Sequence, residues 1–133
     1  MSLCLFMIIA MSSCKEDLNY YLIVKDSSDM EILNRTIPVS LNSTFSGTLE
    51  VQAFSGSKPR IFKKINAGER IDITDSEETG LESEHFSEVY HQKRNLNFVM
   101  SDTEYSTGDL LEIIIYTNLG SGGSEESFFL EIE

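Results

Sequence analysis

The chain has 133 residues, and 22 acidic against 10 basic side chains give it a formal net charge of −12 at pH 7. That balance argues against nucleic acid as a partner, because phosphate binding needs clustered Lys and Arg. It argues equally against docking on anionic lipid through a basic patch; the basic groupings are Lys58, Arg60, Lys63 and Lys64 and, separately, Lys93-Arg94.

The first element is apolar and carries no charge: Leu3-Cys4-Leu5-Phe6-Met7-Ile8-Ile9-Ala10-Met11, closed by Ser12-Ser13 and followed by Cys14 and the polar Lys15-Glu16-Asp17. At about nine residues it is far short of the ~20 of a membrane-spanning helix and fits the apolar region of a signal peptide, with small residues at the cut. The reading divides the chain into a signal peptide over 1–13, a short acidic tether over 14–17 and one β-domain over 18–133. If Cys14 is acylated, Cys4 leaves with the signal and no thiol is left for a disulfide, a redox pair or a metal cluster. All the charge then belongs to the mature domain, since residues 1–13 carry none. No Lys or Arg precedes the apolar run, which is a departure from the usual signal pattern.

Beyond the tether the elements read as strands. Leu18 to Val24 forms the first, with Tyr20, Leu22 and Val24 in phase. Ile37-Pro38-Val39-Ser40-Leu41 alternates, and its proline predicts a strand start or an edge. Phe45, Gly47, Leu49, Val51 and Ala53 alternate with Ser46, Thr48, Glu50 and Gln52, the pattern of a half-buried strand. Ile71-Asp72-Ile73 and Leu96-Asn97-Phe98-Val99-Met100 repeat it.

Leu110 to Tyr116 is apolar on both faces and predicts a central strand, covered on one side by a second sheet and on the other by loops or a partner. Phe128, Leu130 and Ile132 share one face of the last strand. Turn-rich segments stand at Ser55-Gly56-Ser57-Lys58-Pro59, Asn66-Ala67-Gly68-Glu69, Ser106-Thr107-Gly108-Asp109 and Gly120 to Ser124, the last predicted to join the final two strands. The expectation is an all-β, two-sheet antiparallel β-sandwich of roughly seven to eight strands.

Asp75 to Arg94 is the exception, being acidic and holding both histidines. Phe86, Val89, Tyr90 and Lys93 follow i, i+3, i+4, i+7 spacing, which favours a loop with one helical turn over a long loop leading into an irregular strand. On such a turn Glu84, Glu88 and His91 would line up with His85 alongside, a reasonable chemistry for a divalent metal, but HExxH and comparable spacings are missing. Asp72, Asp75, Glu77 and Glu78 lack the alternating ligands and glycine of a calcium loop, and Asp102, Glu104 and Asp109 form a second acidic loop of the same kind. No metal and no cofactor is expected. Ser87 near the histidines comes without GxSxG or SxxK, so no enzymatic activity is expected either.

Sugar platforms use exposed aromatic faces. The chain has no Trp, which leaves Tyr21, Tyr90, Tyr105 and Tyr116; Tyr105, in a turn region, is the best of them, and it and Tyr90 are the candidate ligand-binding residues.

Met11-Ser12-Ser13-Cys14 resembles the bacterial lipobox, and Cys-Lys-Glu-Asp is similar to the start of surface-exported lipoproteins of the Bacteroidetes type. The stretch from Leu96 to Glu133 resembles the end of an immunoglobulin-like or fibronectin type III-like sandwich, with a transthyretin-like sandwich as the alternative topology. The resemblance implies lipidation at Cys14, an anchor in the outer membrane with surface exposure open, and an adhesive or scaffolding role. The expected function is a membrane-anchored, non-catalytic binding domain that contacts another cell-envelope protein or complex. The alternatives are a carbohydrate-binding module of a glycan-handling system and an inhibitor of a cationic enzyme.

Overall fold

The computed structural model describes residues 19–54, 56, 58–120 and 122–133; the signal segment, Cys14 and the rest of the acidic tether lie outside them. Nine strands and no helix are found among the described residues: β1 (Tyr21–Asp26), β2 (Thr36–Val39), β3 (Thr44–Phe54), β4 (Arg60–Ile65), β5 (Ile71–Asp72), β6 (Thr79–Phe86), β7 (Val89–Val99), β8 (Leu110–Asn118) and β9 (Gly123–Ile132). They form a β-sandwich of a four-stranded sheet, β1-β3-β7-β6, and a five-stranded sheet, β2-β9-β8-β4-β5. Every pairing is antiparallel except β2 with β9, which run parallel with Thr36 opposite Phe129 and Val39 opposite Ile132.

Period two decides which side chains go inside. On β3 the odd positions Phe45, Gly47, Leu49, Val51 and Ala53 are buried, and the even ones face outward. On β7 the inward set is Tyr90, Gln92, Arg94, Leu96 and Phe98. Leu111, Ile113, Ile115, Phe128, Leu130 and Ile132 supply the opposing layer from β8 and β9. Phe45 bridges the sheets, its ring centroid 6.4 Å from Phe98 and 6.0 Å from Phe128. Tilted aromatic pairs at these distances add about 0.5–1.5 kcal/mol each beyond their burial.

β8 is central, as its two apolar faces predict. Its outward residue Ile114 is nonetheless 3% exposed. Ile114 stands opposite Phe62 of β4, whose ring lies under the guanidinium groups of Arg60 and Arg70 at 5.6 and 5.3 Å. Arg70 is held in turn by Glu125 of β9, 2.5 and 2.9 Å away. Charged side chains over the Phe62 ring thus shelter the apolar row through cation–π contact.

The helical turn expected between Asp75 and Arg94 is replaced by a hairpin, whose β6, together with β4 that the sequence pattern did not reveal, raises the strand count to nine. Phe86 and Tyr90 are cross-strand partners around a turn at Ser87 and Glu88, with rings edge-to-face at 4.3 Å. A tight hairpin brings residues four apart together just as a helix does, and this produced the misleading spacing. β6 is an edge strand exposed along most of its length, so alternation does not reveal it. Glu82 is an extra residue between Leu81, opposite Arg94, and Ser83, opposite Lys93, and such a bulge guards a free sheet edge against pairing.

Candidate functional site

Outward-facing side chains of the four-stranded sheet build an organised polar surface. Register places Glu50 of β3 directly opposite Ile23 of β1 and Lys93 of β7, with Tyr21 and His91 one step away on the diagonals. Glu50 Oε2 accepts from the Tyr21 hydroxyl at 2.9 Å and pairs with His91 Nε2 at 2.7 Å. One carboxylate oxygen is therefore gripped from both neighbouring strands. The His91 contact, with Tyr21 and Lys93 adding to it, holds the Glu50 carboxyl below the usual range. Burial and then Glu50 push the Tyr21 phenol up to about 12.

The cluster borders a shallow depression of about 240 Å³ lined by Thr48, Leu49, Glu50, Glu82, Lys93 and Arg94. The β6 bulge brings Glu82 to this rim. His85 and His91 are cross-strand partners, whereas Glu84 is paired with inward-facing Gln92 and Glu88 stands in the turn. The expected alignment of Glu84, Glu88 and His91 is thus taken apart by the hairpin. No group of three metal-ligating side chains is found among the described residues.

Tyr105 and Tyr90 lie in the interior, 2% and 1% exposed, so neither offers a ring face to a sugar. The Tyr105 hydroxyl accepts from Lys63 Nζ at 3.1 Å, and the Tyr90 hydroxyl accepts from Gln92 Nε2 at 2.8 Å. Tyr105 follows β7 in a turn, but its hydroxyl finds a buried cation, which lets the ring turn inward.

Sequence reading missed that cation. Lys63 is buried, with Glu78 at 3.1 and 3.3 Å and Glu104 at 3.5 Å. Burial alone would lower its pKa, but hydrogen bonds with Tyr105 and Glu78 and the Glu78 charge outweigh it and raise the pKa. Arg94 is a second interior cation: Nη1 donates to the carbonyls of Thr74 and Thr79 at 2.7 Å each, and Nε donates to Gln92 at 3.0 Å. It ties the crossover from the five-stranded sheet to β7.

These cations and local hydrogen bonds also occupy the acidic loops. Asp72 accepts from Arg60 and from Thr74, Glu78 and Glu104 face Lys63, and Asp109 accepts from Ser106 N and Asn66 Nδ2. A second depression, about 270 Å³, is lined by Glu77, Glu78, Asn97, Val99, Ser101 and Glu104. Both depressions fall short of the roughly 300–1,000 Å³ of typical small-molecule pockets.

No family model matches the chain, and no curated protein matches it in sequence.

Proposed function

We propose that the chain is a lipid-anchored cell-envelope protein that acts by non-catalytic binding, presenting the outer face of the four-stranded sheet to another envelope protein. The observation that carries the binding role is Glu50, fixed by Tyr21 and His91 on an open sheet face beside Lys93. Pre-set polar groups on rigid strands lose little entropy on association, and they give specificity and register to an interface.

The strand order supports an immunoglobulin-like reading of the sandwich. β1-β3-β7-β6 follows the A-B-E-D order and β9-β8-β4 the G-F-C order, with β2 as an added strand along β9. The sequence around Cys14 supports the anchor: an uncharged apolar run, small residues and one cysteine. A glycan platform is less favoured, because Tyr105 and Tyr90, its leading candidates, are interior.

Two measurements test the reading. Metabolic labelling with a fatty-acid analogue should mark the protein, and Cys14→Ser should abolish the mark; a native protein of unmodified mass would end the anchor reading. Photo-crosslinkers at Thr48 and Gln52, on the outer face of the four-stranded sheet, should capture a discrete envelope protein in intact cells. A crosslinker at Lys64, on the other sheet, should not. Equal capture from both sheets would refute the assignment of the face.

A further inference from the structure

We infer that the aromatic end of the sandwich, carrying Phe54 and Phe86, is seated on the lipid interface of the membrane that holds the anchor. This inference rests on the anchoring reading above.

The described chain begins at one end of the sandwich. Asn19 O accepts from Gln52 Nε2 at 2.7 Å, Tyr21 is paired with Gln52, and the Tyr20 ring lies against Gly120, in the connection from β8 to β9. Phe54 is two residues beyond Gln52 on β3, so it stands about 7 Å farther toward that end. Phe86 closes β6 at the hairpin turn beside it, since Phe54 is paired with Val89 and Phe86 with Tyr90.

Both rings are exposed, Phe54 at 47% and Phe86 at 59%, although large aromatic side chains are normally drawn into a core. Two exposed aromatics at one end of the sandwich, one on each face of the four-stranded sheet, make an apolar rim fit for contact. Five residue steps separate Cys14 from Asn19, which reach at most ~17 Å fully extended, whereas β3 alone spans ~33 Å. An acyl chain on Cys14 therefore keeps this end beside the bilayer, and the exposed Met30 and Val99 stand beyond the reach of the tether at the opposite end.

The charges around the rim select the kind of lipid. Lys58 pairs with Glu84 at 3.8 Å, and Glu88 and His85 flank Phe86, so the rim carries no cationic excess and fits zwitterionic headgroups. The contact is apolar and shallow.

The absence of Trp provides a clean reporter. The mature chain, residues 14–133, whose only thiol is Cys14, is coupled through it to a maleimide lipid in phosphatidylcholine vesicles that contain brominated acyl chains. Single Trp reporters are Phe54→Trp, Phe86→Trp and, as control, Val99→Trp. Quenching at 54 and 86 should exceed that at 99 by about threefold or more, as insertion a few ångströms past the headgroups requires. A ratio below about three overturns the inference, whether the rim then faces water or a protein.

Hydrogen exchange on the wild-type sequence gives a second readout. Coupling to vesicles should protect the backbone at Phe54 and at Ser87-Glu88 and leave Ser101-Asp102 unchanged; equal protection at the two ends also overturns it. Because the lipid is attached chemically, a failed rim and an unacylated native protein are separate results.

Discussion

Replacing Arg94 by Ala tests the idea that an interior cation, held by backbone carbonyls, locks the two sheets together. Arg94 is 3% exposed and donates three short hydrogen bonds, to Thr74 O, Thr79 O and Gln92 Oε1. A hydrogen bond to a charged group contributes about 1.5–3 kcal/mol. Removal also leaves buried carbonyls without a donor, although the depression at Glu50 and Glu82 lets some water reach the site. The net loss should be about 3–4 kcal/mol, a large share of the roughly 5–15 kcal/mol that holds such a domain.

With a urea dependence of about 1.5–2 kcal/mol per molar, the unfolding midpoint should fall by roughly 2 M. Arg94→Met keeps the aliphatic stem and loses the donors, so it should cost nearly as much as Ala. Native-state hydrogen exchange should show Ile73–Thr79 opening first, because that crossover hangs on the guanidinium. A loss below about 1 kcal/mol for Ala, or a Met variant as stable as wild type, would show that packing and not hydrogen bonding holds the crossover.

Thr117 Oγ1 is buried with no hydrogen-bond partner among the described residues, so Thr117→Val should raise stability by about 1 kcal/mol in urea unfolding; a loss would mean that the hydroxyl is satisfied. The raised pKa of Lys63 gives stability that is complete below the unfolded value near 10.4 and is lost as pH climbs through the higher folded value. Urea midpoints should therefore drop above about pH 10, and Lys63→Met should flatten that alkaline limb; an unchanged limb would refute the coupling. Glu50→Gln should bring the Tyr21 phenol part of the way down from about 12, since burial, the larger cause, remains. Absorbance titration of the ionising phenol reads this, and no movement would mean that Glu50 does not act on Tyr21.

Strands with one face in the core announced themselves. β3, the second half of β7 and the end of β9 alternate cleanly, and the doubly apolar β8 was legible as central. What stayed hidden had a physical cause. β6 is exposed on both faces at a sheet edge, so no period marks it. Lys63 and Arg94 looked like surface charge, yet each stands in phase with buried neighbours, Lys63 with Ile61 and Arg94 with Leu96, Phe98 and Met100. Carrying the Leu96-Phe98-Met100 phase backward would have placed Arg94, Gln92 and Tyr90 inside. The Tyr21–Glu50–His91 contact depends on register between three strands, which composition and local spacing do not encode.

The parallel seam between β2 and β9 has a mechanical consequence. Asn19 stands at one end of the sandwich and Glu133 closes the other, where its amide donates to Val39 O. Tension applied between those two points pulls β2 and β9 lengthwise in opposite directions, so their rungs bear the load together and do not unzip one at a time. Force along the line from Asn19 to Glu133 would therefore meet the β2–β9 seam in shear.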